Sequence, residues 1–214
     1  MSQTWISSDL VGSSTTVVAF GGVAGELTVP MFEFFKSLNK YCVNKIFVRD
    51  LNRTWYFGLN HNEVERKLRK LIPDDSRTVF VGSSAGGFAA VLFGNKLKAD
   101  FVVAFSPQTF LDSELRSKYN DNRWSVFLDK LNKQYSSYNL RLWNLLNNNN
   151  ITRYYIYYCA SHLLDVIHAK ILVKNCNLNI KLVPIKCNVH EVVRVLKVNG
   201  ELDFLLKEFI GEDL

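Results

Sequence analysis

The chain has 214 residues, of which 48% are hydrophobic and 21% are charged, and its formal net charge is +6. This length fits one domain with a sizeable core, and the composition is that of a globular protein rather than a disordered chain. We therefore predict a single domain over residues 1–214.

The charge and hydropathy patterns argue against two classes of function. Lys and Arg are scattered along the chain, and a short basic run such as residues 65–70 is typical of the solvent face of a helix. We therefore expect no nucleic-acid binding. No apolar stretch reaches the roughly 18 residues of a membrane span, and the N-terminus lacks the pattern of a leader. We expect a cytoplasmic protein without a membrane partner.

The cysteines show neither of the common metal or redox patterns. Four are present, and they lie in or beside apolar runs: Cys42, Cys159, Cys176 and Cys187. They form no C-x-x-C pair and have no zinc-ligand spacing. We expect buried free thiols, no metal site and no cofactor.

Strand and helix patterns alternate along the chain. In order, the predicted elements are an edge strand or arm before residue 15, strand 15–20, helix 30–38, strand 45–48, helix 62–71, strand 78–81, a helix from Ala85, strand 100–105, a helical segment 108–150, strand 154–159, helix 164–173, strand 179–185 and helix 191–210. Such alternation implies right-handed crossovers and a mostly parallel sheet with helices on both faces. The predicted fold class is a three-layer α/β/α sandwich, with 108–150 as a small cap-like helical insertion.

The strongest motif is a tight turn between a predicted strand and a predicted helix. Gly82-Ser83-Ser84-Ala85-Gly86 follows the G-x-S-x-G pattern, with Ser84 at its centre. Small neighbours are needed at such a turn because Cβ atoms would collide there, and the following helix points its first N–H groups towards negative charge beside the serine. The motif predicts an acyl-transfer site, whereas an ordinary small-residue turn is the alternative.

A serine nucleophile needs a base, usually a histidine, and the chain has four histidines. His61 lies in a polar segment, and we predict that it is a surface residue. His162 precedes the predicted helix 164–173, and His168 lies within it. His190 follows the last predicted strand, at the sheet edge where Ser84 also lies. His190 is therefore the candidate base, and a histidine that starts a helix is the alternative.

The candidate acid is Asp165, which follows the strand that ends near residue 159 at the same edge. An aspartate early in a helix is also favoured by the helix dipole alone. Asp112, which follows the strand 100–105, is the second candidate. The order Ser84, Asp165, His190 is the chain order of α/β-hydrolases.

The loop after strand 45–48 is rich in charged and aromatic residues. Because open α/β sheets bind ligands at the carboxyl ends of their strands, Arg53, Trp55 and Tyr56 are candidates for a substrate-binding wall. Arg53 would receive an anionic group of the substrate. The alternative is that an arginine pairs with the aspartate inside the loop while the aromatic rings cover the core.

The chain resembles a compact α/β-hydrolase from about Thr15 to Leu206. It is similar in particular to little-characterised bacterial and phage hydrolase-like proteins that share short sequence motifs like those at residues 47–51, 55–56, 82–87 and 105–109. The resemblance implies a nucleophile at Ser84, an acid at Asp165, a base at His190 and an oxyanion hole. The hole would use the N–H of Ala85 and a second N–H from the Gly21-Gly22 turn, and Gly22 and Val23 both remain open as that second donor.

The function that these residues predict is cleavage of a small or mid-sized acyl or aryl carboxylic ester through an acyl-enzyme on Ser84. The expected partner is a small-molecule ester. Two alternatives remain: an acyltransferase or deacylase that acts on a carbohydrate or protein, and a non-catalytic binding module on the same fold.

Overall fold

The computed structural model describes residues 4–23, 32–57 and 61–211. Seven strands lie in these residues: β1 (Thr4–Asp9), β2 (Thr15–Phe20), β3 (Asn44–Asp50), β4 (Arg77–Ser83), β5 (Phe101–Phe105), β6 (Arg153–Cys159) and β7 (Ile180–Ile185). The described helices are α1 (Phe35–Leu38), α2 (His61–Leu71), α3 (Ala85–Leu97), α4 (Ser113–Lys118), α5 (Ser125–Gln134), α6 (Leu163–Asn175), α7 (Val192–Val198) and α8 (Glu201–Ile210). None of them is both long and apolar enough to cross a membrane.

All seven strands form one sheet, in the order β1-β3-β2-β4-β5-β6-β7. Only β1 runs antiparallel to its neighbour, β3, and every other pair is parallel. Of the two alternatives predicted for the N-terminal residues, an edge strand or an arm, the structure shows the edge strand β1. The carboxyl ends of the six parallel strands share one edge, which is where open α/β sheets bind ligands.

The two faces of the sheet carry two separate apolar cores. Because successive strand residues point to opposite faces, Phe80 of β4 packs in one core, and its neighbours Val79 and Val81 pack in the other. The Phe80 core includes apolar residues of α2, α3, α5 and α6, whereas the other includes residues of α7 and α8. The predicted three-layer α/β/α sandwich is confirmed.

The predicted helix over 191–210 is interrupted. The structure has two helices there, α7 and α8, separated by Asn199 and Gly200. Gly200 has φ of +73°, a left-handed conformation that glycine adopts without steric cost. The Asn-Gly pair was therefore a turn signal inside a pattern that otherwise favours one helix.

The predicted helix over 30–38 is also shorter than expected. α1 covers only Phe35–Leu38, and Phe34 before it has φ of 66°. This left-handed residue starts the helix abruptly, so Phe32 and Glu33 lie outside it. Pro30 and Met31 lie outside the described residues.

The segment after β5 contains α4, α5 and a short 3-10 helix, Leu142–Asn144. A single bridge between Phe110 and Arg141 joins its two ends. Leu128 and Leu131 of α5 are buried in the core that contains α3. The helical insertion predicted after the Phe105 strand is therefore present and packs into this core.

All four cysteines are free thiols, as the sequence predicts. Cys159 is buried in β6, but Cys42 is exposed, and Cys176 and Cys187 are half-buried. The expectation of burial was wrong for Cys42 because it lies in the turn between α1 and β3 rather than within either element.

Two glycines allow α3 to begin immediately after β4. A Cβ atom on Gly86 would lie 2.3 Å from the carbonyl oxygen of Phe20, and one on Gly82 would lie 2.1 Å from the carbonyl oxygen of Gly86. Both distances are far below van der Waals contact, and the neighbours are backbone atoms that cannot rotate away. The turn at Ser84 therefore depends on the absence of side chains at both positions.

We expect Gly86→Ala to lower the free energy of unfolding by about 3 kcal/mol or more, because the added methyl group forces α3 away from β2. Gly21→Ala is the matched control, since a Cβ there meets its nearest atoms at 3.7 and 3.8 Å, and we expect it to change stability by less than about 1 kcal/mol. Urea unfolding of both variants measures this. Equal destabilisation by the two substitutions would contradict the assignment.

Candidate active site

Ser84 occupies the sharp turn between β4 and α3. Its backbone has φ of 54° and ψ of −115°, a combination that costs free energy in any residue with a side chain. Its N–H donates to the carbonyl of Phe105 at 2.9 Å, which fixes the turn against the neighbouring strand. Strained backbone of this kind is typical of a nucleophile elbow.

The structure brings Ser84, His190 and Asp165 together in one hydrogen-bonded chain. Ser84 Oγ lies 3.0 Å from His190 Nε2, and His190 Nδ1 lies 2.7 Å from Asp165 Oδ1. With Nδ1–H donated to the carboxylate, Nε2 has its lone pair free to accept the serine hydroxyl. The three residues follow β4, β6 and β7 at the carboxyl edge of the sheet, as the sequence predicts.

Asp165 is only 2% exposed and lies in the first turn of α6. Ser106 donates its hydroxyl to Oδ2 at 2.7 Å, and the Nδ1 atom of His162 lies 3.0 Å from Oδ1. Burial works to raise the pKa of Asp165, but the hydrogen bonds from His190 and Ser106 outweigh it and hold this pKa below its ordinary value. The group facing His190 is therefore a carboxylate at neutral pH.

The other candidates from the sequence lie elsewhere. Asp112 caps α4 and is bound by the guanidinium of Arg141 at 2.9 and 3.1 Å, so it does not reach His190. His61 was predicted on the surface, which was wrong: its ring packs against Phe57 and Phe93, with centroids 5.1 and 5.8 Å away. Burial lowers the pKa of His61 to about 4. The prediction failed because the immediate neighbours of His61 in the sequence are polar, whereas the aromatic rings that it contacts are not adjacent to it in the sequence.

Trp55 and Tyr56 are fully buried and support the site from behind rather than forming a substrate wall. The Trp55 indole N–H donates to Gln108 Oε1 at 3.0 Å, and the Tyr56 hydroxyl donates to the Gly21 carbonyl at 2.8 Å. Of the two alternatives for this loop, the structure shows aromatic rings that cover the core.

The carboxylate of Asp50 explains why this loop turns inward. It accepts the backbone N–H groups of Asn52, Thr54 and Tyr56 at 2.6 to 3.0 Å, which folds the chain back over the sheet. Arg53 points to the helical insertion, where its guanidinium lies 5.3 Å from the ring centroid of Phe127. Arg53 is not among the described residues that line the cleft beside Ser84.

Gln108 is a contact of Ser84 that the sequence did not identify. Its Oε1 atom lies 3.3 Å from Ser84 Oγ while it accepts the Trp55 N–H. Its position just after β5, at the edge that holds Ser84, was the available signal. Gln108 and Ser106 belong to one short motif, residues 105–109, for which the sequence predicted no chemical role.

The expected oxyanion amides differ in their surroundings. Ala85 is the first residue of α3, and the first N–H groups of a helix have no acceptor within it. The Gly22 N–H instead donates to Glu33 Oε2 at 2.7 Å. Burial raises the pKa of Glu33 to about 7, against the lowering effect of the Gly22 hydrogen bond. The carboxyl of Glu33 therefore occupies one predicted donor.

A cleft of about 570 Å³ opens beside Ser84. Its described walls come from the turn after β2, from the chain before α1, from the insertion and from α7 and α8, and include Gly22, Val23, Glu33, Phe34, Ser84, Trp124, His190, Val193, Arg194, Lys197 and Leu202. A larger cleft of about 730 Å³ lies at the opposite edge, where the strands begin, and its described lining contains no serine, cysteine or histidine.

Three potential metal-donor atoms also meet here. Atoms of His162, Asp165 and His190 lie within 4.8 Å of one another. His190 already uses Nδ1 on Asp165 and Nε2 on Ser84. The hydrogen-bonded chain to Ser84 therefore accounts for the closeness of these donors without an ion.

Solved enzymes share this architecture at low sequence identity, although no protein-family model and no curated protein matches the sequence. The capsule O-acetyltransferase of Neisseria meningitidis serogroup A superposes with a TM-score of 0.71 at 15% identity, over 98% of this chain and 92% of that chain. FphF, a fluorophosphonate-binding serine hydrolase of Staphylococcus aureus, gives 0.61 at 14%, over 92% and 84%. Est1E from Butyrivibrio proteoclasticus gives 0.60 at 11%, over 96% and 94%. The α/β-hydrolase fold that the sequence resemblance implies is confirmed.

We expect Glu33 to make stability depend on pH. Its pKa rises from 4.5 to about 7 in the folded protein, so between these values the folded chain keeps a proton that the unfolded chain releases. Stability from this group is complete below about pH 4.5 and is lost as pH rises towards about 7. Relative to Glu33→Gln, the parent should therefore lose free energy of unfolding between about pH 5 and pH 8.

Urea unfolding at both pH values measures the difference. Glu201→Gln, at the exposed start of α8, is the matched control. A parent that gains stability over Glu33→Gln as the pH rises would contradict the burial of a protonated carboxyl.

Proposed function

We propose that this protein is a serine esterase that cleaves a carboxylic ester through an acyl-enzyme on Ser84. The observation that carries the proposal is the chain of two hydrogen bonds from Ser84 through His190 to Asp165, at a strained strand-to-helix turn. A binding module has no need for this alignment of nucleophile, base and buried carboxylate. We also propose that residues 108–150 form a cap-like part of a single domain.

In the proposed reaction, Ser84 Oγ attacks the ester carbonyl while His190 Nε2 takes the hydroxyl proton. Asp165 stabilises the resulting imidazolium. The tetrahedral intermediate collapses when His190 returns the proton to the leaving alkoxide, which departs as the alcohol. Water then attacks the acyl-enzyme by the same steps and releases the acid. The Ala85 N–H lies at the start of α3, where it can donate to the oxyanion.

The cleft suits an acyl group of limited size. Val23, Phe34, Trp124 and Leu202 give it apolar walls, and its volume of about 570 Å³ is at the lower part of the range for small-molecule sites. A short acyl chain or an aryl group fits this space. We therefore propose small or mid-sized esters as substrates.

We expect a small fluorophosphonate to add to the parent once, and Ser84→Ala to remain unlabelled with an unchanged unfolding temperature. Turnover of p-nitrophenyl acetate should fall at least about 10³-fold in Ser84→Ala, because removal of a nucleophile costs this much or more. Ser137→Ala, on an exposed turn, is the matched control. Intact mass and absorbance measure both effects.

A folded parent that takes up no label would overturn the assignment. If Ser84→Ala were labelled at the parent rate, the reactive nucleophile would be a residue other than Ser84.

Acyl transfer is the second candidate, and one feature of the cleft favours it. Arg194 and Lys197 on α7 line the cleft and are exposed, so they can bind a phosphate-bearing acyl donor. The structurally similar Neisseria enzyme is an O-acetyltransferase that has been solved in complex with CoA. We propose acetyl-CoA as the donor to test.

For this candidate, we expect the KM for acetyl-CoA to rise about tenfold or more in Arg194→Ala/Lys197→Ala, because two charged contacts are lost. The KM for uncharged p-nitrophenyl acetate should stay unchanged. S-acetyl-pantetheine, which lacks the nucleotide phosphates, should show no difference between parent and variant. Release of free thiol measures the two thioesters, and absorbance of p-nitrophenolate measures p-nitrophenyl acetate. Equal KM values for acetyl-CoA in parent and variant would leave hydrolysis as the better function.

A further inference from the structure

Arg123 lies between two buried carboxylates, those of Asp121 and Asp165. It belongs to the loop that joins α4 to α5. Its Nε and Nη2 atoms donate to the two oxygens of Asp121 at 2.8 and 2.7 Å, the forked geometry in which arginine binds a carboxylate. Its Nη1 atom donates to Asp165 Oδ1 at 3.3 Å. One guanidinium therefore connects the acid facing His190 to a second acid in the insertion.

Asp121 is itself held by the buried ring of His168. Burial lowers the pKa of His168 to about 4, so the ring is neutral at neutral pH. Its Nδ1 atom accepts the backbone N–H of Thr109 at 3.0 Å, which leaves the ring proton on Nε2. Nε2 lies 2.9 Å from Asp121 Oδ2 and donates to it. The anchor of Arg123 is thus fixed by a residue of α6, the helix that also carries Asp165.

The two carboxylates need a common positive partner. Asp121 and Asp165 are each 2% exposed. Because little water surrounds them, the two negative charges repel each other strongly unless a cation lies between them. Burial works to raise the pKa of Asp121, but the hydrogen bonds from Arg123 and His168 outweigh it and hold this pKa well below its ordinary range. The ion pair therefore persists through the neutral pH range.

Arg123 also approaches the candidate base. Its Nη1 atom lies 3.3 Å from His190 Nδ1. Both atoms carry hydrogen when His190 donates to Asp165, so this contact is not a hydrogen bond. Asp165 Oδ1 instead receives two N–H donors at once, one from His190 and one from Arg123. The hydrogen bond from Arg123 holds Asp165 Oδ1 in the position where it accepts the His190 Nδ1–H.

We propose that Arg123 is a positioning residue of the candidate triad, which holds the Asp165 carboxylate where it receives the His190 Nδ1–H. Arg123 is not among the described residues that line the cleft, so it acts through Asp165 and not through the substrate. The inference rests on the proposed function, because this alignment governs a rate only if Ser84 and His190 react. It also gives the insertion a role in the site.

The test compares Arg123→Met, Arg123→Lys and the control Arg66→Met, whose side chain is exposed on α2. We expect Arg123→Met to lower kcat for p-nitrophenyl acetate roughly 10- to 100-fold, as small misplacements of catalytic groups do. KM should change less than about twofold. Arg123→Lys should recover part of kcat, since it restores the charge without the fork. Arg66→Met should match the parent.

Fluorophosphonate labelling and thermal unfolding of the same proteins separate the outcomes. If Arg123→Met does not fold, Asp121→Asn carries the test, because it weakens the anchor of Arg123 and is expected to lower kcat about threefold or more. A labelled parent with unchanged kcat in the folded variants would overturn the positioning role and leave the proposed function intact. A raised KM with unchanged kcat would also overturn it. An unlabelled parent would overturn the proposed function, and this inference with it.

Discussion

The backbone contact between α3 and β2 is the constraint on which the site depends. Gly86 lies against the Phe20 carbonyl with no room for a Cβ atom, so the backbone of α3 packs directly against that of β2. Ser84 must then complete the turn from β4 in a strained conformation. The same contact places the start of α3 beside the Gly21-Gly22 turn that follows β2. One packing contact thus sets both the position of the candidate nucleophile and that of the nearby amides.

Two carboxyl groups near this turn show how hydrogen-bond partners determine whether a buried carboxyl is ionised. Burial acts to raise the pKa of both Asp165 and Glu33, yet their pKa values move in opposite directions. Asp165 receives hydrogen bonds from His190 and Ser106, which outweigh the effect of its burial. Glu33 receives a hydrogen bond from the Gly22 N–H, which does not outweigh the effect of its burial. The candidate base therefore faces a stable carboxylate, whereas the wall of the cleft carries a group that titrates near neutral pH.

Local patterns in the sequence were sufficient for the alternating elements and for the candidate triad. Ser84, Asp165 and His190 each follow a recognisable strand, and the geometry of a parallel sheet places such positions at one edge. Patterns of this kind have a limit, because they do not say which way a loop folds. The loop with Trp55 and Tyr56 was expected beside the substrate, but the inward turn around Asp50 buries both rings.

The contacts that the sequence could not reveal join segments distant along the chain. Arg123 and Asp165 are 42 positions apart, and neither lies in a motif that names the other. Charge runs and spacing report a residue's neighbours in sequence, whereas an ion pair across an insertion depends on how that insertion packs. The contacts of Gln108 with Trp55 and Ser84 could not be predicted for the same reason, because they join two loops that come together only in the folded chain.

Glu33 gives the proposed reaction a condition of its own. Attack by Ser84 would develop negative charge on an oxygen close to the Gly21-Gly22 turn, where the Gly22 N–H already binds the Glu33 carboxyl. An ionised carboxylate there would repel that charge, whereas a protonated carboxyl would not. Burial raises the pKa of Glu33 to about 7, so the carboxyl is largely protonated below that pH. A substrate that displaced the carboxyl would free the Gly22 N–H to donate to the oxyanion. The group that occupies the predicted donor is therefore one whose charge the fold itself suppresses.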